Sequence, residues 1–215
     1  MKKIELQRVA PADIEARSME IIGQELGDRE FPADQLPVIK RAIHTSADFD
    51  YADNLVFSPD AVAAGIAAIK GGCTIVTDTQ MAFSGINKKV LEKFGGKAVC
   101  FMSDPDVAAE AKERGETRAT VSMERAARLE GPLVLAIGNA PTALVRICEL
   151  IEEGKMAPAL VIGVPVGFVN VVESKELLLT MDTPHIVARG RKGGSNVAAA
   201  ICNALLYQAS NNVRE

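Results

Sequence analysis

The sequence predicts an α/β fold: a single-domain three-layer α/β/α sandwich with a mainly parallel sheet and an N-terminal helical region, spanning all 215 residues. Three observations predict it. Short, continuously apolar runs rich in β-branched residues read as strands covered on both faces, the signature of a parallel sheet. Helical patterns alternate with those runs, the order an α/β sandwich requires. Ahead of the first run, the chain reads as helix, helix, helix, with no strand between. No internal repeat, low-complexity tract or long linker marks a second domain.

Taken in order, the N-terminal helices fall at roughly residues 11–25, 33–45 and 59–70. The third is the best marked: Ser58 and Pro59 suit an N-cap and first helical residue, and Gly71 and Gly72 stop it. The polar stretch ADFDYADN links the second helix to the third. Strands are predicted at CTIVTD (73–78), AVCFM (98–102), LVLAIG (133–138), ALVIGV (159–164) and HIVARG (185–190), each bounded by Gly, Pro or Asp. Between and after them, helices are expected at 105–114, 118–129, 141–153 and 194–208. Asn139 and Pro141 open the third of these, and a Gly-Gly-Ser signal opens the last.

Composition narrows the class of function. Hydrophobic residues are 48% and charged residues 24%, and no apolar run nears the roughly 18 residues of a membrane span. MKKIELQRVA has lysines but no continuous apolar core, so no signal peptide is expected and cytoplasmic residence is the default. A net charge of −4 argues against a nucleic-acid partner, because a phosphate backbone is met by a basic surface. Cys73, Cys100, Cys148 and Cys202 are widely spaced in apolar segments and read as reduced core thiols. Two histidines are too few for a typical zinc site, and neither G-x-x-x-x-G-K-[ST] nor a G-x-G-x-x-G after the first strand is present.

In an open α/β sheet, ligands bind beyond the carboxyl ends of the strands. The segments that follow the runs are TDTQMAFSG (77–85), GNAPTAL (138–144), GVPVGFV (163–169) and RGRKGGSN (189–196), all small, glycine-bearing or polar. GNAPTAL offers Asn139 and the free N–H groups of a helix start, which suit an anion or carbonyl and equally suit plain capping. RGRKGGSN gathers Arg189, Arg191 and Lys192 beside Gly193 and Gly194 in an acidic protein, so it reads as an anion cradle or as a solvated basic turn. Thr117 and Arg118 stand at a helix start, where the dipole does not favour a cation; a bound anion or a surface contact accounts for Arg118. His44 lies three residues after Arg41 and so on the same helical face, pairing an imidazole that can give or take a proton with an anion anchor. His185 opens a strand and reads as a packing residue.

IHTSADFDYADNLVFSPDAV, DTQMAFSGI, AIGNAPTAL, VIGVPVGFVNVVESKELL and ARGRKGGSNVAAAICNAL together resemble the precorrin-8X methylmutase family, known as cobalt-precorrin-8 methylmutase in the anaerobic route to vitamin B12. The likeness covers nearly the whole chain. It implies an isomerase that moves a methyl group from ring carbon 11 to ring carbon 12 of a tetrapyrrole, completing the hydrogenobyrinate or cobyrinate chromophore. It implies no nucleotide, flavin or protein-bound metal; cobalt, if present, belongs to the substrate. His44 matches the family's histidine, as proton donor or acceptor to the macrocycle. Substrate contact is implied for Ser18, Arg41, Arg118 and Asn139, with Arg191 as a further carboxylate anchor and Asp78, Gly167 and Gly193 added from their strand-end positions. The resemblance also implies a homodimer whose site draws on both subunits. Asp48 and Asp50, in a stretch that differs in character from the family, read as a solvated loop. Two other readings compete: a non-catalytic corrinoid carrier, which needs the arginines but not the imidazole, and an enzyme acting on a small phosphorylated metabolite at RGRKGGSN.

Overall fold

The structure, a computed structural model, describes residues 7–211, so the start of MKKIELQRVA and the last four residues of the expected domain lie outside it. A six-stranded sheet runs in the order β1-β6-β5-β4-β2-β3. Five strands are parallel: β2 (Thr74–Thr77), β3 (Lys97–Val99), β4 (Leu133–Ile137), β5 (Leu160–Gly163) and β6 (His185–Ala188). Four of these match their apolar runs; β3 overlaps AVCFM only at Ala98 and Val99, because Phe101–Ser103 forms a 3-10 turn instead of continuing the strand. The sixth, β1 (Leu55–Phe57), was not expected; it directly follows the ADFDYADN connection and pairs antiparallel with β6, Leu55 opposite Ala188.

Side chains alternate across the strands, and each face is covered by helices. One face carries Ile75, Val134, Ala136, Leu160, Ile162 and Ile186 into a core shared with α1 (Ile14–Leu26), α2 (Leu36–Ser46), α4 (Ala61–Lys70) and α11 (Ser195–Ala209). The other carries Val76, Leu133, Leu135, Ile137, Val161 and Val187 against α8 (Arg118–Ala126), α9 (Pro141–Glu152) and α10 (Val171–Leu179). The three-layer sandwich follows directly, and the N-terminal helices form part of one outer layer. Four helices lay outside the sequence expectation: α3 (Tyr51–Asn54), α5 (Gln80–Gly85), α6 (Lys88–Lys93) and α10. The remaining helix, α7 (Pro105–Arg114), falls where expected.

Ser58 does not cap α4. The helix starts at Ala61 after Asp60 in a left-handed conformation, and the Ser58 hydroxyl instead accepts the N–H of His185 at 2.8 Å. Cys73, Cys148 and Cys202 are buried, and burial pushes the first two thiols up to about 11 and about 12. Such thiols are inert packing groups.

His185 is a packing residue, 6% exposed, whose Nδ1–H donates to the Thr183 carbonyl at 2.9 Å. Burial pulls its pKa below 6.5, and the Thr183 bond acts in the opposite sense. As pH drops below about 6.5 the unfolded chain therefore takes up the proton first, and stability falls. The urea midpoint should decline more steeply between pH 7 and pH 5.5 in the wild type than in His185→Gln. Equal slopes would remove the assignment.

Candidate active site

The parallel strands all deliver their carboxyl ends to one edge, and the turns there interlock. Asp78, just beyond β2, is wholly buried. Its carboxylate accepts the N–H groups of Gly138 at 2.8 Å, Asn139 at 2.8 Å and Ala140 at 2.6 Å. Burial pushes the Asp78 carboxyl up, and the three N–H donors pull it back. This corrects the expectation that Asp78 meets substrate: both oxygens are spent on shaping the turn before α9. Asn139 donates its backbone N–H to that carboxylate and leaves its exposed side chain free of the capping role, because Ala140 occupies the N-cap. Thr79, next in line, caps α5 through the N–H of Ala82 and bonds the Ser195 hydroxyl at 2.8 Å. Gly138 has no room for a Cβ, which would fall 2.6 Å from the Ser195 Cα, so the turn rests against the start of α11.

His44 stands exposed in the last turn of α2, on the rim between two shallow hollows. The first, about 320 Å³, is lined by Arg41, His44 and Thr45 with Met81 of α5 and Asn196 and Asn203 of α11. The second, about 270 Å³, runs from His44 to Ser18, Ile22 and Glu25 of α1 and to Phe49. The structure thus brings Ser18, Arg41 and His44 together. Arg41 is not a vacant anchor: its guanidinium pairs with Glu15 and lies 5.2 Å from the centre of the Tyr207 ring. A ligand carboxylate would join or displace Glu15. The Ser18 hydroxyl donates to the Ile14 carbonyl at 2.9 Å, which leaves its lone pairs to accept.

Arg118 and Asn139 line neither hollow. Arg118 begins α8, whose cap Thr117 meets Thr142 at the start of α9 across 3.0 Å, and it is exposed with no carboxylate partner among the described residues. A larger groove of about 480 Å³ lies beside it between α8 and α9. Apart from Glu116, its charged groups already answer one another: Glu124 holds both Arg114 and Arg146, and Arg146 also meets Glu149.

The basic loop after β6, read as an anion cradle or a solvated basic turn, has two of its three cations paired with carboxylates. Arg189 makes a two-bond pair with Glu176, both at 2.8 Å, and Lys192 contacts Asp48 and Asp50, each at 2.6 Å. Asp48 and Asp50 are therefore not simply a solvated loop; they tie the segment after α2 to the loop after β6. Arg191 alone of the three cations has no carboxylate among the described residues, and its guanidinium lies 5.4 Å from the Phe168 ring centre. Gly167 has φ +147° and donates its N–H to the Arg191 carbonyl at 3.2 Å. Gly193 is explained by packing rather than ligand room: a Cβ would sit 2.1 Å from the Val164 oxygen. Gly193→Ala should thus lower the melting temperature by several degrees and loosen the loop, read by calorimetry and by faster amide exchange at residues 190–194. An unchanged melting temperature would contradict that account.

The sequence reading missed Met81, Asn196, Phe168 and Lys175. The first three stood inside the strand-end segments, but only the fold shows which side chains face the hollow or the solvent. Among the described residues, no three His, Cys, Asp or Glu side chains converge as a metal-binding group, and no helix is long and apolar enough to cross a membrane.

Fold and site define a class: an α/β protein with an exposed histidine and a neighbouring arginine lining a hollow beside the turns at the carboxyl edge of a parallel sheet. The sequence pattern of the precorrin-8X methylmutase family matches residues 13–208. The chain is 47% identical over 205 residues to the cobalt-precorrin-8 methylmutase of Priestia megaterium, covering 95% of this chain and 91% of that one. It is 47% identical to the cobalt-precorrin-8 methylmutase of Salmonella typhimurium, covering 92% and 95%. The crystal structure of precorrin-8x methyl mutase from Thermus thermophilus superimposes with a TM-score of 0.86 at 41% identity, covering 94% of this chain and 98% of the other. The chain belongs to the precorrin-8X methylmutase family.

Proposed function

We propose that the chain is an isomerase of cobalamin biosynthesis that moves a methyl group from ring carbon 11 to ring carbon 12 of precorrin-8 or its cobalt form, giving hydrogenobyrinate or cobyrinate. The observation that carries the reading is His44, exposed between two hollows with Arg41 on the same helical face. Substrate and product are isomers: one carbon–carbon bond breaks at carbon 11, another forms at carbon 12, and no oxidant is consumed. His44 lends a proton to the nitrogen of the ring bearing the migrating methyl and recovers it after the shift, which lowers the barrier through a transient positive charge.

The substrate is fringed with carboxylates, so Arg41, Arg118 and Arg191 orient it by charge-assisted bonds, with Ser18 and Asn139 as neutral partners. No resident cofactor or protein-bound metal enters the scheme; cobalt travels with the substrate. Arg118 and Asn139 lie outside the hollows beside His44, which supports a homodimer in which each site takes residues from both subunits. We place the reaction in the cytoplasm, where the four thiols stay reduced.

The test is a visible absorption time course with precorrin-8 and, separately, cobalt-precorrin-8. Because both relatives described above are named for the cobalt substrate, that form should convert faster. Binding shifts without conversion of either substrate would replace this reading with the corrinoid carrier.

A further inference from the structure

We propose that Lys175 is a positioning residue for this reaction, fixing the loop that presents Arg191 to a substrate carboxylate; the proposal rests on the methylmutase reading and deepens it. Lysine is among the residues least often fully buried, yet Lys175, on α10, has no exposed surface. Its Nζ donates to the carbonyl of Gly190 at 2.7 Å and to that of Lys192 at 2.8 Å. Those residues flank Arg191 on either side. One ammonium group therefore pins the peptide both before and after the arginine.

The pinning has a specific consequence for charge. Arg189 is committed to Glu176 and Lys192 to Asp48 and Asp50, so the loop offers one cation without a carboxylate partner among the described residues, Arg191, which lies beside the Phe168 ring. The Arg191 carbonyl accepts from Gly167, and the Gly194 N–H donates to the Val164 carbonyl at 2.9 Å. Burial pulls the Lys175 ammonium down to about 8, while carbonyl oxygens, which only accept, favour its protonated form. An apolar side chain would fill the same space without that desolvation. What it would not supply is a fixed Arg191: a preordered arginine gives up less freedom when it engages a carboxylate.

A double-mutant cycle tests this on the full-length enzyme. Arg191→Ala should raise KM for cobalt-precorrin-8 about tenfold, the loss of one charge-assisted contact, with kcat nearly unchanged because the contact lies away from the migrating methyl. Lys175→Met should raise KM by several fold with kcat held, and the double variant should be no worse than Arg191→Ala alone. Multiplying effects, or a Lys175→Met enzyme with wild-type KM, overturn the proposal. If Lys175→Met does not fold, Lys175→Gln, which keeps an N–H donor, runs the same cycle. Failure of both to fold beside a folded Arg191→Ala assigns Lys175 a purely stabilising role and overturns the proposal too. A wild-type enzyme that neither binds nor converts the substrate would instead overturn the methylmutase reading itself.

Discussion

His44→Ala is expected to lower turnover on the order of 100- to 10,000-fold, the usual span for a group that moves a proton in the transition state. It should leave substrate affinity and folding nearly intact. The reasons are local. The side chain is exposed at the end of α2, whose apolar face is carried by Val38, Ile39, Ala42 and Ile43, all at most 2% exposed. Removing an exposed imidazole opens no cavity in that face, so melting should shift little. On the proposed reading, binding energy would reside mainly in contacts to peripheral carboxylates, which the substitution does not touch. Single-turnover absorption spectroscopy with the variant separates these outcomes: a ligand-bound spectrum that does not progress supports proton transfer by His44. A variant that converts substrate at the wild-type rate would return His44 to the surface of the helix and leave the methyl shift to another group.

The contrast between His44 and Arg41 shows what the sequence could disclose. Spacing placed both on one face of a helix, and the structure agrees. It gave no sign of Glu15, 26 positions away in the chain, whose carboxylate meets the guanidinium. Long-range pairing of that kind leaves no periodic trace. The parallel strands were legible because burial on both faces forces continuous apolar runs. β1 was not, since three residues, LVF, carry no period and are fixed only by antiparallel pairing with β6. α5 and α6 have six residues each, too short to display a repeating face. α10 was hidden by its opening valines and by Lys175, a charged residue that points inward where the pattern expects solvent. Strand-end position singled out the edge where the turns interlock, but it could not separate side chains that face the hollow from those, such as Asp78, that turn back to hold the loops.

Asp78→Ala should be among the most destabilising single substitutions in this protein. The carboxylate is the acceptor for three consecutive backbone N–H groups, at Gly138, Asn139 and Ala140. Alanine would leave them facing a void. An unsatisfied buried donor costs about 1–3 kcal/mol, and water entering the vacated space recovers part of that, so a net loss of about 3–5 kcal/mol is expected. In a domain of this size each kcal/mol moves the midpoint by roughly 2–4 °C, so calorimetry should register a fall of about 10 °C. Asp78→Asn should behave similarly, because its amide turns at least one N–H donor toward another. Thr79→Ala, which removes an N-cap and the bond to Ser195, should lose only about 1 kcal/mol. The ordering distinguishes the two roles offered for Asp78. A substrate contact would lose affinity while keeping its melting temperature. A turn support loses stability first, and its kinetic defect shrinks as the assay is cooled below the midpoint of the variant, because the folded fraction still carries His44 and the arginines.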